Sequence, residues 1–172
     1  MNHRTRSFIV IVFLLLGGAA LAQDAERTQE VLTKLNETPT RQSVFDYVGF
    51  QLSGEIVVLS GFTIQPGLKA ETEKLIRSLE WVAHVVNRIE VLPVEATGSL
   101  IRGRSEAVLK KTVPYAFPEN RADIRIKVKE SHVTLVGSVA KIHTRRLENA
   151  VSEIKGLPSV KSVTNDVKIL DN

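Results

Sequence analysis

Val57-Val58-Leu59-Ser60-Gly61 and Val133-Thr134-Leu135-Val136-Gly137 stand 76 residues apart in a chain of 172, and their reading decides the fold. Each is a short apolar run closed by glycine, as expected of a half-buried strand whose exit needs a positive φ or a close approach of another element. The same offset holds upstream. Glu30-Val31-Leu32 lies opposite Glu106-Ala107-Val108, and the alternating Val48, Phe50 and Leu52 lie opposite Ile124, Ile126 and Val128. Beyond the glycines the offset becomes 78, where Leu79, Val82, Val85, Asn87, Ile89 and Val91 match Leu157, Val160, Val163, Asn165, Val167 and Ile169. A surface connection tolerates a two-residue length change because closure entropy grows slowly with loop length, whereas a slip inside a strand would turn its apolar face outward. The chain therefore reads as one fold written twice.

Each copy opens with a helical pattern, about Glu26 to Asn36 and Ser105 to Val113, with Pro39 and Pro114 marking the stops and Ser105 as the N-cap. Two alternating strands follow, Val44 to Leu52 with Ile56 to Thr63, and Asp123 to Lys129 with His132 to Val139. The short links Ser53-Gly54-Glu55 and Glu130-Ser131 predict antiparallel hairpins, the first with glycine in a left-handed conformation. Leu68, Leu75, Ile76 and Leu79, and then Leu147, Val151, Ile154 and Leu157, predict a second helix in each copy. The last strands, near Val85 to Leu92 and Val163 to Leu170, come after that helix and so run parallel to the second. The order per copy is αββαβ.

Arg4 and Arg6, the apolar run from Phe8 to Leu16 and Ala20-Leu21-Ala22 have the form of a cleavable signal peptide, 1–22, leaving an exported protein. Four segments are expected: signal peptide 1–22, first domain 23–95, linker 96–103 and second domain 104–172. There is no cysteine, so neither disulfides nor a lipidated cysteine are available, and the cores must hold by packing. Charge is divided unevenly. Residues 23–95 carry 7 Lys+Arg against 11 Asp+Glu, whereas residues 96–172 carry 14 against 8.

The double sequence apolar-x-apolar, turn, Val-x-Leu-x-Gly, helix, then apolar residues ending in Val-x-Asn-x-apolar-x-apolar resembles the BON domain, and the resemblance covers essentially everything after residue 22. It implies an α+β protein of two tandem αββαβ BON domains, each a three-stranded mixed sheet packed against two helices. It further implies a periplasmic, non-enzymatic protein like the dual-BON proteins of bacterial envelopes, some of which bind phospholipid, with a role in envelope integrity or osmotic-stress protection. Relatives that are lipoproteins carry a cysteine that this chain lacks.

No nucleophile elbow, phosphate loop or dinucleotide fingerprint is present, and His84, His132 and His143 have no second histidine at helical metal spacing. Neither catalysis nor a cofactor is expected. Arg102, Arg104, Lys110 and Lys111, followed by Tyr115 and Phe117, combine cations with interfacial aromatics and form the candidate lipid-binding site for an anionic phospholipid surface. Arg125, Lys127 and Lys129 alternate with Ile124, Ile126 and Val128, placing a cationic stripe on the outer face of the second sheet, though export disfavours nucleic acid as its partner. Gly61, Gly137, Asn87 and Asn165 read as structural, and the only tryptophan, Trp81, as packing. The alternative function is a protein-interaction adaptor for envelope complexes, with the acidic and basic domains docking on each other or on partner proteins.

Overall fold

A computed structural model of the chain describes residues 23–38, 43–118 and 122–171. The expected signal peptide and Pro39 lie outside the described residues. The first copy consists of α1 (residues 23–36), β1 (Tyr47–Ser53), β2 (Ile56–Thr63), α2 (Pro66–Arg77) and β3 (His84–Val91). The second consists of α3 (Ala96–Thr112), a 3-10 turn (Pro114–Ala116), β4 (Ile124–Lys129), β5 (His132–Ala140), a 3-10 turn (Lys141–His143), α4 (Thr144–Lys155) and β6 (Ser162–Leu170). Each sheet has three strands, with β1 and β4 antiparallel, and β3 and β6 parallel, to the central β2 and β5. The αββαβ order and both hairpins are as expected. Gly54 takes φ 60°, and the second turn solves the same problem without glycine by holding Glu130 and Ser131 at φ 52° and 68°.

Alternation buries one face of each sheet beneath two helices. Val57, Leu59, Val85 and Ile89 meet Val31, Leu35 and Ile76 in the first core, and Ile124, Ile126, Val133 and Leu135 meet Val108, Leu109, Leu147 and Ile154 in the second. Gly61 pairs with Val48 and Ile89, and Gly137 with Ile124 and Val167, at equivalent registers.

Two expectations are corrected. Residues 96–103 are not a linker but the first two turns of α3, which begins after Glu95. Ser105 is consequently no N-cap and sits wholly buried in mid-helix. Ile101, also buried, is anchored in the second core, and that anchorage outweighs the flexibility of Gly98 and Gly103. The second correction concerns the start of the first strand, which is Tyr47 rather than Val44. Residues 43–46 bend away because the buried Asp46 carboxylate gathers donors. It accepts from the Ser43 hydroxyl at 2.6 Å, the Thr63 hydroxyl at 2.5 Å, the Ile64 N–H at 3.0 Å and the Gln65 amide at 2.9 Å. The bend sends Val44 out of its own domain and into the second core, where Phe45 also packs. Its carbonyl accepts the Ile126 N–H on the edge of β4 at 2.7 Å.

Candidate functional site

Of the six residues expected to form a lipid-binding cluster, the fold exposes Arg104, Lys110, Lys111 and Tyr115, half-buries Phe117 and encloses Arg102. Arg102 falls on the buried stripe of α3 with Ile101, Ser105, Val108 and Leu109, and is 3% exposed. Burial lowers its pKa, with Glu95 opposing, and its one described hydrogen bond goes to the Ser99 hydroxyl at 3.0 Å. A side chain so enclosed cannot reach a headgroup. Phe117 is half-buried against the second core. Lys110 is paired with Glu106 at 2.8 Å, and Lys111 with Glu153 on α4 at 3.3 Å, while Arg104 is exposed. These partners are themselves solvent-accessible, so the lysines remain able to exchange them for other anions.

Tyr115 leads to a denser arrangement. Its ring stacks on His143 with centroids 3.9 Å apart and planes 13° apart, and the Arg146 guanidinium lies 5.3 Å from the ring centroid. The aromatic thus draws together the 3-10 turn after α3, the 3-10 turn after β5 and the first turn of α4. At the tip of this surface Ile142 is 84% exposed, and Leu170 at the end of β6 is also exposed. Lys141, Arg145 and Arg146, all exposed, lie within four residues of Ile142 in the sequence, Lys141 holding Asp171 at 2.8 Å. An isoleucine so fully in water, with three exposed cations close to it in the sequence, has the composition of an interfacial contact. Tyr115 alone links this surface to the expected one. The run Lys141-Ile142-His143-Thr144-Arg145-Arg146 carried the missed signal, an apolar residue framed by cations at a strand-to-helix junction.

The repeated glycines and asparagines have geometric roles. Gly61 and Gly137 sit at φ 126° and 130°, and a Cβ there would overlap the carbonyl oxygens of Tyr47 and Asp123 respectively. Asn87 and Asn165 each accept the N–H two residues on, from Ile89 at 3.1 Å and Val167 at 3.3 Å, and both lie within their strands. Asn87 also donates to the Lys69 carbonyl at 2.9 Å, tying β3 to α2. Trp81 packs on the first core, donates to Glu30 at 2.6 Å and carries the Arg27 guanidinium 4.9 Å from its ring centroid.

The cationic stripe of β4 faces the other domain. Glu90 of β3 receives Lys127 at 2.5 Å and Lys129 at 2.7 Å, hydrogen bonds that hold its carboxyl below the usual carboxylate range against the opposing effect of burial. Lys127 also lies 5.9 Å from the ring centroid of the buried Phe62. The acidic and basic halves therefore dock on each other, through the polar faces of their sheets. Among the described residues no group of His, Asp or Glu is placed to hold a metal ion, and no helix is long and apolar enough to cross a membrane.

A protein-family model described as the BON domain matches the chain twice, at residues 23–93 and 101–171. No curated protein matches it. Solved structures similar to it include two of CdsD, a structural protein of the type III secretion system of Chlamydia trachomatis. One is 10% identical over 84% of this chain and 92% of that chain, with a TM-score of 0.38. The other, the C-terminal domain of the same protein, is 12% identical over 83% and 96%, with a TM-score of 0.37.

Proposed function

The chain belongs to the BON domain family, and from that premise we propose that it is an exported envelope protein whose second domain rests on anionic phospholipid. BON domains belong to non-enzymatic, envelope-associated proteins, which is the coarse frame for this reading. The observation that carries it is Ile142, an isoleucine 84% exposed at the tip of a surface with Tyr115, Arg145 and Arg146. An apolar side chain entering the interface supplies hydrophobic transfer, while the cations supply attraction to the headgroups, about 1 kcal/mol each near an anionic leaflet. Arg104, Lys110 and Lys111 on α3 extend the positive field. Attachment of this kind is reversible and supports envelope integrity or osmotic-stress protection without a covalent anchor.

The test is co-sedimentation of the protein without residues 1–22 with vesicles of phosphatidylglycerol and phosphatidylcholine, or of phosphatidylcholine alone. Binding to the anionic vesicles only is expected. Arg145→Gln with Arg146→Gln should weaken it by about thirtyfold, corresponding to about 2 kcal/mol. Equal and negligible pelleting with both vesicle types would sink the proposal.

A further inference from the structure

A cleft of about 620 Å³ lies where the two domains meet. Its floor is the outer face of the second sheet, where Arg125, Val136 and Asp166 stand in one row and Ser138 and Lys168 in the next. Tyr47 and Asn36 of the first domain form the facing wall. Neither domain has the cleft by itself, and a concave joint of this size between domains is a common place for a ligand.

Arg125 and Asp123, which also border the cleft, are engaged within the chain. Asp166 and Lys168 are exposed, and neither has a hydrogen-bond or ion-pair partner among the described residues. Two residues apart on β6, they stand on the same face of the strand. At the offset of 78 their counterparts in the first copy are Arg88 and Glu90, the same two charges in the opposite order. There Glu90 is held by Lys127 and Lys129 across the joint. The position that fastens the domains together in one copy is open to the cleft in the other.

The wall offers a different contact. A Cβ at Gly49 would meet the Tyr47 hydroxyl at 3.4 Å and a ring carbon at 3.7 Å, so the ring lies along β1 over the glycine. Phe62 props it from the side, with centroids 6.1 Å apart and planes tilted by 40°. Tyr47 is nonetheless 39% exposed. A braced aromatic ring bordering a polar cleft is a platform for a ligand with one flat apolar side, and a sugar ring has such a side beneath its hydroxyls.

We propose that the cleft binds a glycan carrying both carboxylate and ammonium groups, as a peptide-substituted sugar does. A sugar ring stacks on Tyr47, the Asn36 amide and the Ser138 hydroxyl serve its polar groups, a carboxylate reaches Lys168 and an ammonium reaches Asp166. A ligand of one sign alone is disfavoured, since a phosphate would be repelled by Asp166 and a polyamine by Lys168. That such sugars are met at an envelope rests on the export reading. The binding does not, and it is separate from the membrane surface at Ile142.

The test is isothermal titration calorimetry of the protein without residues 1–22. The probe is the disaccharide of N-acetylglucosamine and N-acetylmuramic acid bearing alanyl-glutamyl-diaminopimelate, which presents an ammonium group beside carboxylates. One control is an N-acetylglucosamine oligomer, a sugar without charge, and the other is the N-acetylated peptide, charge without sugar. The conjugate should bind about tenfold or more tightly than either control. Asp166→Asn and Lys168→Gln, both on exposed side chains, should each weaken it about tenfold without moving the melting curve. Tyr47→Phe keeps the platform and should bind as the parent does, whereas Tyr47→Ser should bring the conjugate down to the level of the peptide. Absence of binding by the conjugate, binding matched by either control, or affinity unchanged in Asp166→Asn and Lys168→Gln overturns the proposal. Vesicle binding is scored separately, so failure of either reading leaves the other standing.

Discussion

Gly137→Ala should be among the most damaging single-methyl changes available to this chain. Gly137 holds φ 130°, which L side chains rarely adopt, and the added Cβ would overlap the Asp123 carbonyl oxygen while standing 3.0 Å from its carbon and 3.1 Å from the Ile124 Cα. All three neighbours are backbone, so no side chain can swing away, and β4 must separate from β5 at the Ile124 and Gly137 pair. The Ser138 N–H bond to Asp123, 3.1 Å long, goes with it. The unfavourable φ costs about 1–3 kcal/mol, and one or two lost backbone bonds about 1 kcal/mol each. The sum, about 2–5 kcal/mol, is a large share of the roughly 5–15 kcal/mol that holds a domain folded. Each kcal/mol moves the melting temperature of a unit this small by about 4–8 °C, so a fall of more than about 8 °C is expected by circular dichroism. Gly61→Ala makes the same intrusion on Tyr47 and should behave alike, and its fall can be read from Trp81 fluorescence, which reports on the first domain alone. Gly67→Ala is the control: its Cβ would meet nothing within 4 Å and it lies in the first turn of α2, so the variant should match or exceed the parent by up to about 1 kcal/mol. A melting point for Gly137→Ala within about 2 °C of the parent would refute the reasoning.

Other expectations are smaller or depend on conditions. Glu90→Gln removes two partly exposed ion pairs worth about 0.5–1 kcal/mol each at low salt, so its melting curve should lie below the parent's there and converge on it in 1 M NaCl, where screening acts within about 3 Å. Burial of Asp46 opposes its ionisation, but the bonds from Ser43, Thr63, the Ile64 N–H and Gln65 prevail and lower its pKa. A carboxyl depressed in the folded state stabilises fully above its unfolded value of about 3.9 and loses that contribution as pH falls through the folded value. Asp46→Asn should therefore cost about 2 kcal/mol at pH 7 by urea unfolding, and the gap should close below about pH 4. Trp81→Phe, losing the Glu30 bond and much of the Arg27 contact, should cost about 1 kcal/mol in thermal unfolding while leaving vesicle binding unchanged.

The strands were readable because the glycines and the alternating residues answer to constraints repeated at each copy. The positive φ at Gly61 and the overlap behind it follow from a register that both sheets share. Residues 96–103 misled because Gly98, Ser99 and Gly103 look like a linker, whereas the buried Ile101 turns the segment into helix. The bend at 43–46 depends on Thr63 and Gln65, 17 and 19 residues from Asp46, and no local pattern announces it. Counting cations put Arg102 in the site, although its spacing of one residue from Ile101 and three from Ser105 lies along the buried stripe of α3. Ile142 escaped because a single apolar residue gives no periodicity, and only its exposure in the folded chain makes it conspicuous.

Val44 has a further consequence, for how the protein can be assembled and divided. It lies in the first half of the polypeptide yet completes a core made by residues more than fifty positions later. During N-to-C synthesis its binding place does not exist when it appears, so Val44 waits unseated until β4 and α4 have formed. A second half cut out at residue 96 would keep its sheet and helices but carry an unfilled notch, with the Ile126 N–H turned toward water. Duplication made two similar units, and two residues crossing from one to the other, Val44 and Phe45, have made them a single inheritance.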